Sequence, residues 1–259
     1  MNSKTFIALR RRHFQESQPF NQQIVNLTSK VDSHAFLRNP ASQNVYLYLI
    51  NYVKAFCEYW FDRNFDELQI LDWGCGKGHI SYLMQEIGAQ ITACDVHGAD
   101  DSSFGQNTPI IEKTSINIVP LEHSYKLPFK DTTFDIVLSF GVLEHVPNHL
   151  ASLKEIKRVL KPSGLFFCFF LPYYLSWTQR LAHLRGDFYH DRLYSKNTVK
   201  KLVKQSKLEL LDIWHRQLLP KNSINYRNYH TFEFVDQWLT EHTLLKYTAT
   251  NIEFVAYKS

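Results

Sequence analysis

The chain has 259 residues, with 29 Lys and Arg against 25 Asp and Glu, for a formal net charge of +4. Hydrophobic residues make up 44% and charged ones 21%, a globular balance that excludes a disordered or low-complexity chain. So mild an excess of positive charge also argues against a dedicated nucleic-acid binder, which gathers its basic residues on one face.

Residues 1–40 are polar and mixed, with a cluster at Arg10-Arg11-Arg12 and a stop at Asn39-Pro40. From Ser42 to Trp60, Val45, Leu49, Tyr52, Val53, Phe56, Tyr59 and Trp60 recur at helical spacing and predict an amphipathic helix laid on the core. The pattern then alternates. Leu68 to Asp72 reads as a short strand running into glycines, and Ile80, Leu83, Met84 and Ile87 follow as a helix that Gly88 ends. Further strands are expected at Ile91–Asp95, Ile116–Leu121 and Phe134–Phe140. A helix from about His149 to Leu160 ends at Pro162-Ser163-Gly164, and Leu165–Leu171 is a continuous apolar strand suited to the buried middle of a parallel sheet. The last third predicts a helix around Val199–Val203, a strand at Leu208–Trp214, a helix at Phe232–Leu245 and a final strand at Ile252–Tyr257.

Alternating strands and helices predict an α/β fold with a doubly wound, mostly parallel sheet. No repeat or linker interrupts it, so one domain with an N-terminal helical cap over residues 1–64 is expected. Residues 96–115 lack helical periodicity, and residues 172–195 form an aromatic- and His-rich insertion. Ligands of open α/β sheets sit beyond the carboxyl ends of the strands, so irregular segments there are lid candidates. Cys57, Cys75, Cys94 and Cys168 are scattered without Cys-x-x-Cys spacing, which offers neither a disulfide framework nor a metal site. With no secretory pattern at the N-terminus and no apolar run near the ~20 residues of a spanning helix, a cytoplasmic protein without a transmembrane segment is expected.

The most informative stretch is Ile70-Leu71-Asp72-Trp73-Gly74-Cys75-Gly76-Lys77-Gly78-His79-Ile80, a strand entering Gly-x-Gly-x-Gly and then a helix. Glycines there let the chain turn tightly and let a ligand approach the backbone. The dinucleotide spacing fails, because His79 and Ser81 stand where its third glycine would be, and the Lys-Ser/Thr of a phosphate loop is missing. Asp72 at the strand end would repel a phosphate but suits an ammonium. Asp95, ending the next strand, can accept both hydrogen bonds of a ribose diol. Each acid alone also reads as an ordinary turn or cap residue. Together with the glycine turn they fit S-adenosylmethionine, an adenosine joined to an amino-acid-like group.

Four blocks then resemble the class I S-adenosylmethionine-dependent methyltransferases, most of all the quinone-biosynthesis-type branch. They are Ile70–Gly78, Leu127-Pro128-Phe129 with Phe134-Asp135-Ile136-Val137, Leu143-Glu144-His145, and Glu155 to Gly164. The resemblance covers about residues 65–172. It implies a Rossmann-like seven-stranded sheet with helices on both faces and an antiparallel last strand, and a methyltransferase domain over 65–259 with lids at about 172–195 and 220–247. It implies S-adenosylmethionine contacts from Asp72, Gly74, Cys75, Gly76 and Gly78 on the methionine side. Asp95 and Val96 would meet the ribose, and Phe140 the sulfonium side. The family's usual adenine-binding Asp is replaced by His123, with Glu122 before it. Either His123, as a neutral acceptor, or Glu122 is expected to take its place.

Methyl transfer needs alignment more than a base, but a hydroxyl acceptor must lose a proton, and histidine suits that near neutral pH. His145 follows the fourth strand, and His190 lies in the insertion. As alternatives, His145 is a scaffold residue of its turn and His190 a loop residue paired with Asp187 or Asp191. Tyr173, Tyr174, Trp177, Phe188 and Tyr189 either stack on a ring-bearing acceptor or close a lid. Lys196, Lys200, Lys201, Lys204 and Lys207 form a basic stripe, which reads as a solvated helix face, a phosphate attractor or a contact with a membrane surface. The C-terminal third is similar to methyltransferases of cell-surface glycan and glycolipid assembly. The expected function is methyl transfer to a small-molecule or glycan acceptor, at oxygen. A cofactor-binding scaffold with a degenerate site and an NAD-dependent oxidoreductase are the rivals.

Overall fold

The computed structural model describes residues 40–96, 116, 118–186, 190, 192–219 and 229–259. Helix α1 (Pro40–Phe61) opens it, so Pro40 begins this helix rather than ending what precedes; proline suits a first turn because its missing N–H would have no helical partner there. Strand β1 (Gln69–Trp73), helix α2 (His79–Glu86) and strand β2 (Gln90–Asp95) follow, then β3 (Ile118–Pro120) and β4 (Phe134–Phe140). Next come helix α3 (His149–Val159), β5 (Leu160–Pro172), α4 (Trp177–Leu184), α5 (Lys196–Gln205), β6 (Glu209–Arg216), α6 (Tyr229–His242) and β7 (Asn251–Tyr257). Of the expected cap over 1–64, residues 1–39 lie outside the described residues, as do 97–115, 187–189 and 220–228 of the irregular and lid segments.

The seven strands form one sheet in the order β3-β2-β1-β4-β5-β7-β6. Every pairing is parallel except those of β7, which runs antiparallel to β5 and β6. Alternation along the strands splits the core in two. Ile70, Ile136, Leu138, Phe167 and Phe169 pack on one face with Tyr52 and Phe56 of α1 and with Ile80 and Met84 of α2. Leu71, Val137, Phe166 and Cys168 pack on the other with Leu153 and Ile156 of α3 and with Val199 and Leu202 of α5. Burying a large side chain of this kind contributes about 1.5–3 kcal/mol, and these strands are buried on both faces.

Two irregularities matter. β5 begins five residues before the apolar run that predicts it. Leu160 already pairs with Phe134, and Leu165 pairs with Ile136, so Pro162-Ser163-Gly164 bulges inside the strand instead of separating it from α3. Farther along, the register against β7 shifts between Cys168 and Leu171, and Phe170 takes φ +62°. That bulge sets the Phe170 ring edge-on to Tyr46 of α1, 5.4 Å away, and 6.0 Å from Phe140.

α6 is fastened to β6 and β7 by a buried charged network. Arg216 Nη2 donates to Glu233 Oε1 at 2.9 Å, its Nη1 reaches Glu253 Oε1 at 3.4 Å, and its guanidinium lies 4.7 Å over the Tyr48 ring. The Asp236 carboxylate accepts from the amides of Leu218 and Leu219. Arg216→Met would take from the buried Glu233 and Glu253 the guanidinium they share. Unfolding monitored in urea should therefore show a loss of about 3–5 kcal/mol.

Candidate functional site

Beyond the carboxyl ends of β1, β2 and β4 lies a cavity of about 590 Å³. The glycine turn forms its floor. The Gly74 and Cys75 amides both donate to the Cys94 carbonyl, at 2.9 and 3.1 Å, and the Gly76 amide donates to Asp95 Oδ2 at 2.7 Å. The turn is thereby bound to the end of β2, its neighbour in the sheet. All three glycines have positive φ, Gly74 at +74°, Gly76 at +51° and Gly78 at +75°. Their surroundings differ. A Cβ on Gly74 would stand 2.5 Å from both Val142 methyls, whereas one on Gly76, on the cavity wall, would meet nothing within 4 Å among the described residues. Gly78 caps α2 and lies off the cavity wall.

The two acids of the turn take different places. Asp95 stands on the cavity wall with Cys75, Gly76 and Val96. Asp72 is buried behind the turn, where Ser81 Oγ donates to its Oδ2 at 2.6 Å. Burial pushes its carboxyl up to about 7; Ser81 opposes the shift and the charge of Asp95 adds to it. Asp72 is absent from the wall, so its field reaches the cavity only through the turn.

Past β3, Leu121 N–H donates to the Asp95 carbonyl at 2.8 Å and brings Glu122, His123, Ser124 and Tyr125 onto the wall. His123 stacks parallel on Tyr125, with ring centroids 5.1 Å apart. Ser124 is 8% exposed, and its hydroxyl has no hydrogen-bond partner among the described residues, a costly arrangement unless a ligand or water supplies one.

The opposite wall is Phe140, Gly141, Val142, His145, Val146 and Pro147. His145 is exposed, and its Nε2 lies 3.8 Å from Oε1 of the buried Glu144. Burial pushes the Glu144 carboxyl up to about 7, and its Oε2 has no hydrogen-bond partner among the described residues. The His190 ring lies 5.5 Å from that of His145, centroid to centroid, although His190 itself is off the wall. Sequence spacing offers no metal site, yet the ligand atoms of Glu144, His145 and His190 lie within 4.8 Å of one another. The possible partners Asp187 and Asp191 lie outside the described residues. Among the described residues, none from 172–195 or 229–247 lines the cavity.

Residues 71–168 match a family profile described as a methyltransferase domain. Over these residues the chain is similar to that methyltransferase family. It is 35% identical to an uncharacterized methyltransferase of Schizosaccharomyces pombe over 144 residues, 53% of this chain and 47% of that protein. It is 31% identical to the ubiquinone biosynthesis O-methyltransferase of Colwellia psychrerythraea over 105 residues, 40% of this chain and 42% of that one. The chain thus spans less than half the length of these curated relatives. Among solved structures, a candidate sarcosine dimethylglycine methyltransferase of Galdieria sulphuraria shares the fold with a TM-score of 0.59 at 16% identity, covering 92% of this chain and 97% of that one.

Within the methyltransferase domain, the motifs place Gly74, Cys75, Gly76, Asp95, Val96, Glu122, His123, Phe140 and His145 on one wall system. They single out neither Ser124 nor Tyr125, nor Lys77, His79 and Val142. The only signal for Ser124 and Tyr125 is their position between His123 and the Leu127-Pro128-Phe129 block. Gly74→Ala should abolish measurable cofactor binding in calorimetry, because the added methyl collides with Val142. The double variant Gly74→Ala/Val142→Gly should recover part of it, since only the positive-φ strain, about 1 kcal/mol, then remains.

Proposed function

We propose that the protein is an S-adenosylmethionine-dependent methyltransferase acting at oxygen on a small-molecule or glycan-type acceptor. The observation that carries this reading is the single wall on which the open side of Gly76, the Asp95 carboxylate and the partnerless Ser124 hydroxyl meet. These residues fit the cofactor. Asp95 accepts from ribose hydroxyls while holding Gly76. Ser124 and His123 supply polar contacts to adenine in place of the family's usual Asp, with Glu122 at their rim. Asp72, set behind the turn with Gly78, adds negative potential toward the amino group, and Phe140 flanks the sulfonium side.

When bound, S-adenosylmethionine supplies a methyl group on a positively charged sulfur, open to in-line displacement. The chain contributes alignment, which alone is worth several kcal/mol. His145 takes the proton of an acceptor hydroxyl at a ring nitrogen, with Glu144 behind it and His190 beside it as a second acceptor of that proton. Similarity to a relative named as an O-methyltransferase supports oxygen as the atom. Four buried cysteines fit a reducing, cytoplasmic setting. A scaffold that binds cofactor without turnover is the second reading, favoured by His123 at the usual acidic position. Binding of S-adenosylmethionine with no S-adenosylhomocysteine released across an acceptor library would select it, and binding of NADH alone would overturn both.

Calorimetric titration of Asp95→Ala should show S-adenosylmethionine bound roughly tenfold or more weakly, for about 1–3 kcal/mol of lost charged hydrogen bonds. His145→Ala should slow turnover of a hydroxyl acceptor by about 10²-fold or more while leaving cofactor affinity near that of the wild type; equal losses in both would make His145 a scaffold residue.

A further inference from the structure

Among the described residues, nine of the twelve large apolar side chains left exposed fall between Tyr174 and Tyr247. They come from two stretches. On α4, Leu181 and Leu184 face solvent, and Leu184 is 85% exposed. On α6 and the turn after it, Phe234, Trp238, Leu244 and Leu245 do the same. The stretches meet. The rings of Tyr174, Tyr173, His215 and Tyr247 follow one another at centroid separations of 5.0, 4.8 and 5.7 Å, and Trp177 Nε1–H donates to the Leu218 carbonyl at 2.7 Å.

Topology sets this face at the cavity's end of the sheet. β5 runs parallel to β4 and ends at Pro172, opposite Asn251, where β7 begins. Both stretches lie beyond that point of the sheet, the same end at which β1, β2 and β4 open into the cavity.

Charge tells what such a face would meet. Residues 172–186 contain no Asp or Glu and expose Arg180 and Arg185 beside the leucines. On the other stretch Lys246 follows Leu245, Glu233 and Asp236 are buried, and Glu241 accepts from Gln237 Nε2 at 3.2 Å. Exposed apolar tips, Trp and Tyr rings and the exposed Arg180 and Arg185, with Glu233 and Asp236 buried and Glu241 half-buried, match the boundary between anionic headgroups and acyl chains. The α5 lysines do not share this character. Lys200, Lys201 and Lys204 are exposed while Val199, Leu202 and Val203 beside them are buried, a solvated basic face. No helix among the described residues is long and apolar enough to cross a membrane.

We propose that the α4–α6 face seats the protein on an anionic lipid surface, with the cavity's end of the sheet turned toward it. The proposal is independent of which reaction the cavity performs. Its test is sedimentation of the full chain with vesicles of phosphatidylcholine, alone or mixed with phosphatidylglycerol, at low and high salt. The protein should pellet with the mixed vesicles, less with the neutral ones, and less again at high salt. Leu184→Glu with Trp238→Glu should reduce the bound fraction roughly tenfold, with the thermal melt and the cofactor affinity unchanged because both side chains are exposed. Failure to pellet, or equal pelleting of the double variant, would overturn the proposal. So would sedimentation velocity showing a wild-type dimer that the double variant dissolves, since a second copy would then cover the face.

Discussion

Three successive amides after β1, those of Gly74, Cys75 and Gly76, are all spent on the end of β2: two on the Cys94 carbonyl and one on the Asp95 carboxylate. This tie lets a tight, positive-φ turn stand at the mouth of a parallel sheet with its polar groups satisfied. The rest of the site depends on it. The tie fixes Gly74 against Val142, which aligns the loop after β4, and leaves Gly76 facing empty space. It also makes Asp95 serve twice, as an internal acceptor and as a wall residue. A wall built this way exists before any ligand arrives, so little ordering entropy is left for binding to cost.

The sheet and its helices were largely legible because periodicity reports burial, and burial on both faces of a parallel sheet is unambiguous at β4 and the apolar part of β5. Legibility fell where backbone geometry rather than side-chain pattern decides. Pro162-Ser163-Gly164 reads as a terminator, yet it is accommodated as a bulge paired through Lys258, whose carbonyl takes the Ser163 amide. In the site, glycine spacing and strand-end acids were readable, since their conformational and charge demands are local. Distances across the fold were not. Nothing local places Ser81 on Asp72, leaves Ser124 without a partner, or brings His190 beside His145.

The acids of this protein divide by environment. Asp135 accepts the Gln69 amide and the Lys161 ammonium at the amino end of the sheet, where it fastens β1 to β4 and β5. Asp72 and Glu144 lie near the cavity without a cation of their own, and burial carries both toward neutrality. Burial also raises Asp236 and Glu253, but those belong to the network that fastens α6, whereas Asp72 and Glu144 lie beside the space where chemistry is proposed.

The bulge at Phe170 carries a corollary for divergence. A residue with a side chain held at positive φ is strained, and the ring's packing against Tyr46 and Phe140 offsets that strain. Tyr46 belongs to α1, outside the motif region altogether. Changes accumulating in α1 can therefore reach the wall around Phe140 through Phe170 while the glycine turn stays as it is.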